Sequence, residues 1–216
     1  MPDYISLKDI VYNYIADQIS RMKILPHDKI NEQKICSELN ISRTPVREAL
    51  IQLCCEGLLE NVPRKGFYIK RLSEKEAREI YLIIGVLDGL SASLACMHME
   101  DRHIKDMEFY IGSMALAIDG GNFEMYYKTQ EAFHMVYLSI CGNETLVQML
   151  IQTKKKFLKK AYTMNNGGSD IAGILRETNE EHRKILELFK ERNIPALDNY
   201  IRTVHWDPSK ADFETL

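Results

Sequence analysis

The spacing of apolar positions along the chain predicts its elements and changes character twice. From Leu7 to Met22, Ile10, Val11, Tyr14, Ile15 and Ile19 recur at helical intervals, which predicts a helix followed by a connection ending at Pro26. Asn31 is placed to cap a second helix reaching about Leu39, with Ile35 and Leu39 one turn apart on its buried side. The turn Asn40-Ile41-Ser42 supplies a residue tolerant of left-handed backbone, an apolar plug and a polar exit. A third helix follows, with Thr44 as its expected N-cap and Pro45 at its first position. Val46, Ala49, Leu50 and Leu53 share its buried face, leaving Arg43, Thr44, Arg47 and Glu48 pointing outward. Two strand-like runs, 58–62 and 67–69, are then parted by Pro63-Arg64-Lys65-Gly66, the pattern of a β-hairpin with a basic tip.

Beyond Leu72 the pattern is helical throughout. Ser73-Glu74-Lys75-Glu76 has the form of a capping box, and a wide apolar face follows through Ile80, Leu82, Ile83, Leu87, Leu90, Leu94 and Met97. Further helices are bracketed by their punctuation: 103–118 before Gly120-Gly121, one from Asn122 to near Gly142, and one from Asn143 fading at 165–168. The next runs from about 170 to 191, and the last begins near Pro195. The expected fold is mainly α. A winged helix-turn-helix occupies residues 1–72, and an all-α antiparallel bundle of six or seven helices occupies residues 73–216.

Charge alters this picture only locally. The chain has 216 residues and a formal net charge of −3. Residues 1–72 hold 11 Lys/Arg against 9 Asp/Glu, a net of +2, and the remainder 17 against 22, a net of −5. Affinity for a polyanion must therefore come from a local patch. Arg43, Thr44 and Arg47 on the opening turn of the third helix form such a patch, since an arginine in a major groove can donate two hydrogen bonds to guanine. Arg64, Lys65 and Gly66 at the hairpin tip would reach phosphates or the adjacent minor groove. The five cysteines are odd in number and lack paired CxxC spacing, so they are expected to be reduced, in a cytoplasmic protein. No apolar run approaches the roughly 20 residues needed to cross a bilayer, and no membrane association is expected.

Three histidines carry the candidate chemistry of the bundle. His134 shares a stripe with Tyr127, Gln130, Phe133, Tyr137, Leu138 and Cys141. His182 shares one with Leu175, Thr178, Ile185, Leu186 and Phe189, and His205 follows Ile201 and Val204. Imidazoles converging from three helices suit a divalent metal such as zinc or nickel. A metal-free pocket lined by Gln130, His134, His182, Tyr127 and Tyr137, binding its ligand by hydrogen bonds and aromatic contact, is the alternative.

Residues 7–72 resemble the GntR family of bacterial transcription regulators. The resemblance rests on Leu25-Pro26, on Ser42-Arg43-Thr44-Pro45-Val46-Arg47-Glu48-Ala49-Leu50, on Glu56-Gly57-Leu58 and on Arg64-Lys65-Gly66-Phe67. It implies operator contacts from Arg43, Thr44 and Arg47, with Arg64, Lys65 and Gly66 at the wing tip. His27 stands where the family usually has glycine, and Gln33 where some relatives carry a DNA-contacting arginine. From residue 73 to about 205 the chain is similar to the FadR-like branch with its FCD effector domain, through Phe133-His134, Gly142-Asn143, Glu181-His182-Arg183 and His205.

In that branch an aspartate and three histidines commonly bind a metal that helps hold a carboxylate effector. Here Gln130 replaces the aspartate. His205 lies one residue late, a shift that one insertion in the preceding turn would restore, and Ile84 stands in place of an arginine before Leu87 and Asp88. The expectation is a cytoplasmic homodimeric regulator, a repressor by class and not an enzyme. It would bind a palindromic operator, and a small-molecule effector, with or without a metal, would modulate that binding. A zinc or nickel sensor is the alternative, and a metal-dependent hydrolase a more remote one.

Overall fold

Asn31 accepts from the backbone N–H of Lys34 at 3.0 Å, and Asn40 takes the left-handed conformation at φ 52° that ends the same helix. These two residues bound the first half of a helix-turn-helix in the computed structural model. That structure describes residues 6–20, 23–24, 28–70, 72–157 and 171–214. The expectations about Met22, Leu25, Pro26, His27, Arg71 and residues 165–168 lie outside the described residues. Contacts divide the chain into two units. One is built on the residues up to Ser73, and the other on Glu74–Lys154 and the residues from 171 to Asp212; residues 155–157 and 213–214 group with the first.

The first unit contains α1 (Leu7–Ser20), α2 (Glu32–Leu39), α3 (Arg43–Cys55), β1 (Leu59–Val62) and β2 (Gly66–Ile69). The strands are antiparallel, with Leu59 opposite Ile69 and Val62 opposite Gly66. The backbone N–H of Ile30 donates to Phe67 at 2.8 Å, and Lys29 bridges to Tyr68, so the chain before α2 adds to the wing. Alternation of apolar residues gives no sign of so short a pairing. Val11, Ile15, Ile35, Val46, Leu50, Leu53, Phe67 and Ile69 meet in one core. Ser42, not Thr44, is the residue before α3. Thr44 and Pro45 lie inside the first turn, where the missing proline N–H would have had no helical partner.

The second unit contains α4 (Glu74–Cys96), α5 (Asp101–Asp119), α6 (Phe123–Leu138), α7 (Glu144–Lys154), α8 (Ile171–Glu191) and α9 (Ile194–Tyr200). A π-helical turn follows at Ile201–His205, and a 3-10 segment at Pro208–Glu214. Asn122, Asn143 and Asn193 each accept from a backbone N–H three residues on. The chain is thus mainly helical, with a winged helix-turn-helix ahead of an all-α bundle. α5 packs against α6 and α8, and α4 against α6, α7, α9 and the π turn. All five cysteines are free thiols, with Cys96 and Cys141 buried and Cys55 exposed.

The apolar face expected of α4 meets the bundle only in part: Ile80 is buried, while most of the rest faces outward. Its small residues point inward, among them Ala77, Gly85, Gly89, Ala92 and Ala95, while Leu82, Ile83, Val86, Leu90, Leu94 and Met97 are exposed. A Cβ on Gly85 would lie 3.2 Å from the Trp206 Cβ and 3.3 Å from the Arg202 backbone, so the neighbouring segment approaches closely there. With apolar residues on both faces, α4 is long and apolar enough, by length and composition, to cross a bilayer. The expectation that no run approaches that length is therefore corrected. Just over half of that window, 56%, is buried inside the protein, as a core helix would be.

Candidate functional site

Arg43, Thr44, Arg47 and Glu48 are exposed on the opening turns of α3, while Val46, Ala49, Leu50 and Leu53 are fully buried behind them. The buried residues fix the helix, so the arginines project from a rigid platform. The Arg47 Nε lies 3.4 Å from a Glu32 carboxylate oxygen at the start of α2, yet its side chain remains 60% exposed. At the wing, Pro63, Arg64 and Lys65 are exposed in the turn that joins the strands. Arg64 has φ 64° and Gly66 φ 107°, and the Lys65 N–H donates to Val62 at 3.0 Å. The tip thus holds two adjacent cations on a tight turn within the same unit as α3.

In the second unit, α6, α8 and the π turn bring His134, His182 and His205 together. One nitrogen of each lies within 4.8 Å of the others, and all three side chains are buried. Ring centroids are 5.3 Å apart for His134 and His182, 5.2 Å for His134 and His205, and 4.9 Å for His182 and His205. The expected shift of His205 is resolved by the π turn. The Trp206 N–H donates to Ile201, five residues back, at 2.9 Å, and the wider turn absorbs one extra residue. His205, not Val204, therefore faces inward.

Hydrogen bonding settles the tautomers of two of these rings. The Tyr137 hydroxyl donates to Asp88 Oδ1 at 2.7 Å, and the Trp206 indole N–H and the Lys154 ammonium reach Asp88 Oδ2 at 2.7 and 3.3 Å. Tyr137 has given its single proton to Asp88, so the His134 Nδ1, 2.6 Å from the same oxygen, must carry a hydrogen and donate it. Burial, reinforced by Asp88, raises the Tyr137 hydroxyl well above its ordinary range and keeps that proton in place. The His205 Nδ1 lies 2.9 Å from Glu181 Oε2, a carboxylate oxygen that only accepts, and Lys210 holds Glu181 Oε1. Both rings thus carry a hydrogen on Nδ1, which leaves Nε2 as the nitrogen that can serve a metal. His182 is fully buried, and neither of its ring nitrogens has a hydrogen-bond partner among the described residues.

Burial above all holds His134 well below its usual range, with the nearby charges of Lys154, His205 and His182 adding to the effect. Burial, followed by His205 and Lys154, does the same to His182. Neutral imidazole is the form that ligates a metal, so the donor set suits zinc or nickel. Two nitrogens bound at about 2.0–2.1 Å to one zinc are at most about 4 Å apart, so modest ring rotations would close the set.

The remaining expected contacts are placed differently. Tyr137 is buried with its hydroxyl engaged by Asp88 and His134, so it holds a histidine in position. Gln130 and Tyr127 are half-buried one and two turns before His134 on α6. Sequence reasoning left out Asp88, Lys154, Glu181, Trp206 and Lys210 as site residues. Asp88 had a signal, because a carboxylate in the middle of the apolar run of α4 must find donors if buried.

Residues 7–69 match the family described as bacterial regulatory proteins, gntR family, and residues 79–203 match the FCD domain. The chain is 28% identical over 192 residues to the uncharacterized HTH-type transcriptional regulator YdhC of Bacillus subtilis (strain 168), across 88% of this chain and 84% of that one. It is 25% identical over 195 residues to a probable D-xylose utilization operon transcriptional repressor of Paenarthrobacter nicotinovorans, across 90% of this chain and 83% of the relative. Among solved structures, E. coli McbR/YncC aligns with a TM-score of 0.79 at 20% identity, over 97% of this chain and 98% of that chain, a likeness of fold.

Proposed function

From the premise that this chain belongs to the gntR family of bacterial regulatory proteins and carries an FCD domain, we propose that a metal-assisted small-molecule site at His134, His182 and His205 governs its hold on operator DNA. The protein is a DNA-binding transcription regulator whose operator affinity is modulated by an effector in its C-terminal helical domain. Residues 1–72 serve as the DNA-binding domain and 73–216 as the effector-binding and dimerisation domain. In the proposed mechanism α3 enters the major groove, where Arg43, Thr44 and Arg47 meet bases and phosphates, and Arg64, Lys65 and Gly66 of the wing lie beside it. One such helix reads only a few base pairs. A homodimer on a palindromic operator doubles the recognised sequence.

The exposed stripe of α4 from Leu82 to Met97 is the proposed dimer face, because a second copy brings an identical apolar stripe to cover it. Acting on operator DNA, the protein is assigned to the cytoplasm. A repressor role agrees with the printed name of the Paenarthrobacter relative.

The observation that carries the effector site is the pair of buried His182 nitrogens, without a hydrogen-bond partner among the described residues, packed against the His134 and His205 rings. Buried polar atoms without partners are costly, and a divalent ion shared by the three rings would give one of those two nitrogens a partner. Bound there, zinc or nickel would supply a Lewis-acidic positive charge for an anionic effector. His134, His182 and His205 would hold it, while Gln130 and Tyr127 would orient the effector. Effector binding shifts operator affinity only as far as it favours one arrangement of the DNA-binding units over the other.

Elemental analysis of purified protein, joined to operator titration with and without a chelator, tests this reading. Near-stoichiometric zinc or nickel and an operator response to small carboxylates that disappears on chelation are expected. An operator affinity set by the metal alone would instead identify a metal sensor, and protein that takes up neither metal would overturn the assignment.

A further inference from the structure

Gln130 leaves the histidine cluster without a carboxylate to coordinate a divalent ion directly, since its amide oxygen carries no charge. Two carboxylates are nevertheless buried one step behind the rings. Glu181 is 7% exposed, and its Oε2 lies 2.9 Å from the His205 Nδ1. Asp88 is fully buried and reaches His134 through the Tyr137 hydroxyl, over contacts of 2.7 and 2.6 Å. We propose that Glu181 and Asp88 act as positioning residues for the metal, holding and polarising the Nδ1–H of His205 directly and that of His134 through Tyr137, in place of a carboxylate that coordinates the ion itself. This inference rests on the metal reading given above.

The chemistry follows from where the protons sit. A carboxylate that accepts the Nδ1–H polarises the ring, makes Nε2 a stronger donor and stops the ring from turning its N–H toward the ion. Glu181 is itself held from behind. Lys210 of the 3-10 segment pairs with Oε1 and also donates to the Val204 carbonyl at 2.8 Å, within the turn that carries His205. One lysine thus fixes both the carboxylate and the backbone next to its histidine. On the other side, Lys154 and the Trp206 indole occupy Asp88 Oδ2 and leave Oδ1 for Tyr137. His134 and His205 therefore each have a dedicated, fully engaged partner, while His182 has none among the described residues and is free to adopt either tautomer.

The test is a competition titration of zinc against a chromophoric chelator, using the full chain at neutral pH with wild type, Glu181→Gln and Tyr137→Phe. Glu181→Gln keeps an oxygen acceptor for the Nδ1–H but removes the charge, whereas Tyr137→Phe removes the hydroxyl that bridges His134 to Asp88 and leaves only the longer direct Nδ1–Oδ2 approach of 3.6 Å. Each is expected to weaken zinc binding by about 10–100-fold. The visible absorption of cobalt-loaded protein should keep the wild-type shape, because the three nitrogen ligands remain. Metal-free melting and circular dichroism report whether each variant folds. Wild-type zinc affinity in both variants would overturn the inference while leaving the metal site intact. A changed cobalt spectrum would also overturn it, by making the residues ligands or scaffold. Failure of the wild type to bind zinc would remove the metal reading and this inference together.

Discussion

His182 shows how a single residue couples stability to solution conditions. Its two ring nitrogens lack hydrogen-bond partners among the described residues, and burial holds both it and His134 well below their ordinary value of 6.5. The unfolded chain takes up protons on these rings near that value, while the folded chain does so only at lower pH. Their contribution to stability is therefore complete above about pH 6.5 and is lost as pH falls through the depressed folded values. Metal-free protein is expected to melt at progressively lower temperature between pH 7 and pH 5, and to lose bound zinc over the same interval. A melting temperature that stays constant across that interval would show that the histidines are not buried as neutral groups. At this scale the sequence made the three histidines legible because each lay on an apolar stripe. Their partners were harder to find, since Glu181 and Lys210 are ordinary surface residue types whose burial depends on the π turn and the 3-10 segment.

Among the elements, α4 carries the clearest difference between pattern and structure. Apolar residues on both faces left the inward side undecided. Around Gly85 and Gly89 small residues took it because Trp206 and Arg202 approach the helix there more closely than large residues would allow, while Ile80, Tyr81 and Ile84 are buried shortly before them. Gly85→Leu should push this segment off and destabilise the second unit by about 1–3 kcal/mol in denaturant titration. Unchanged stability would mean that the contact is not close-packed. The π turn is the second element that periodicity could not supply, since it interrupts the 3.6-residue repeat. The helix-turn-helix and wing were read with little error, because Asn31, Asn40, Pro63 and Gly66 are local punctuation whose effect depends little on distant packing.

For the whole molecule, an exposed apolar stripe and a nearly neutral charge bear on how it meets DNA. Leu82, Ile83, Val86, Leu90, Leu94 and Met97 form a solvent-facing band whose end residue, Met97, is 69% exposed. If this band joins two copies, Leu90→Glu should convert a dimer to a monomer in sedimentation and weaken operator binding, with little change in helix content. A variant that remains dimeric would place the interface elsewhere. Family resemblance made the regulatory role legible before any contact was known. The histidine cluster itself depends on side chains brought together from α4, α6, α8 and the C-terminal turns, which no local pattern specifies.

The account as a whole rests on α3 presenting its arginines to bases. The most direct measurement is binding of wild type and Arg47→Ala to a duplex operator selected from random DNA, with random duplex as the control, at one fixed salt concentration. The expected loss is about 1–3 kcal/mol on the operator, the usual value of one bidentate base contact, with a smaller change on random DNA. Equal operator affinity for the two proteins would contradict the assignment of α3 as the reading helix.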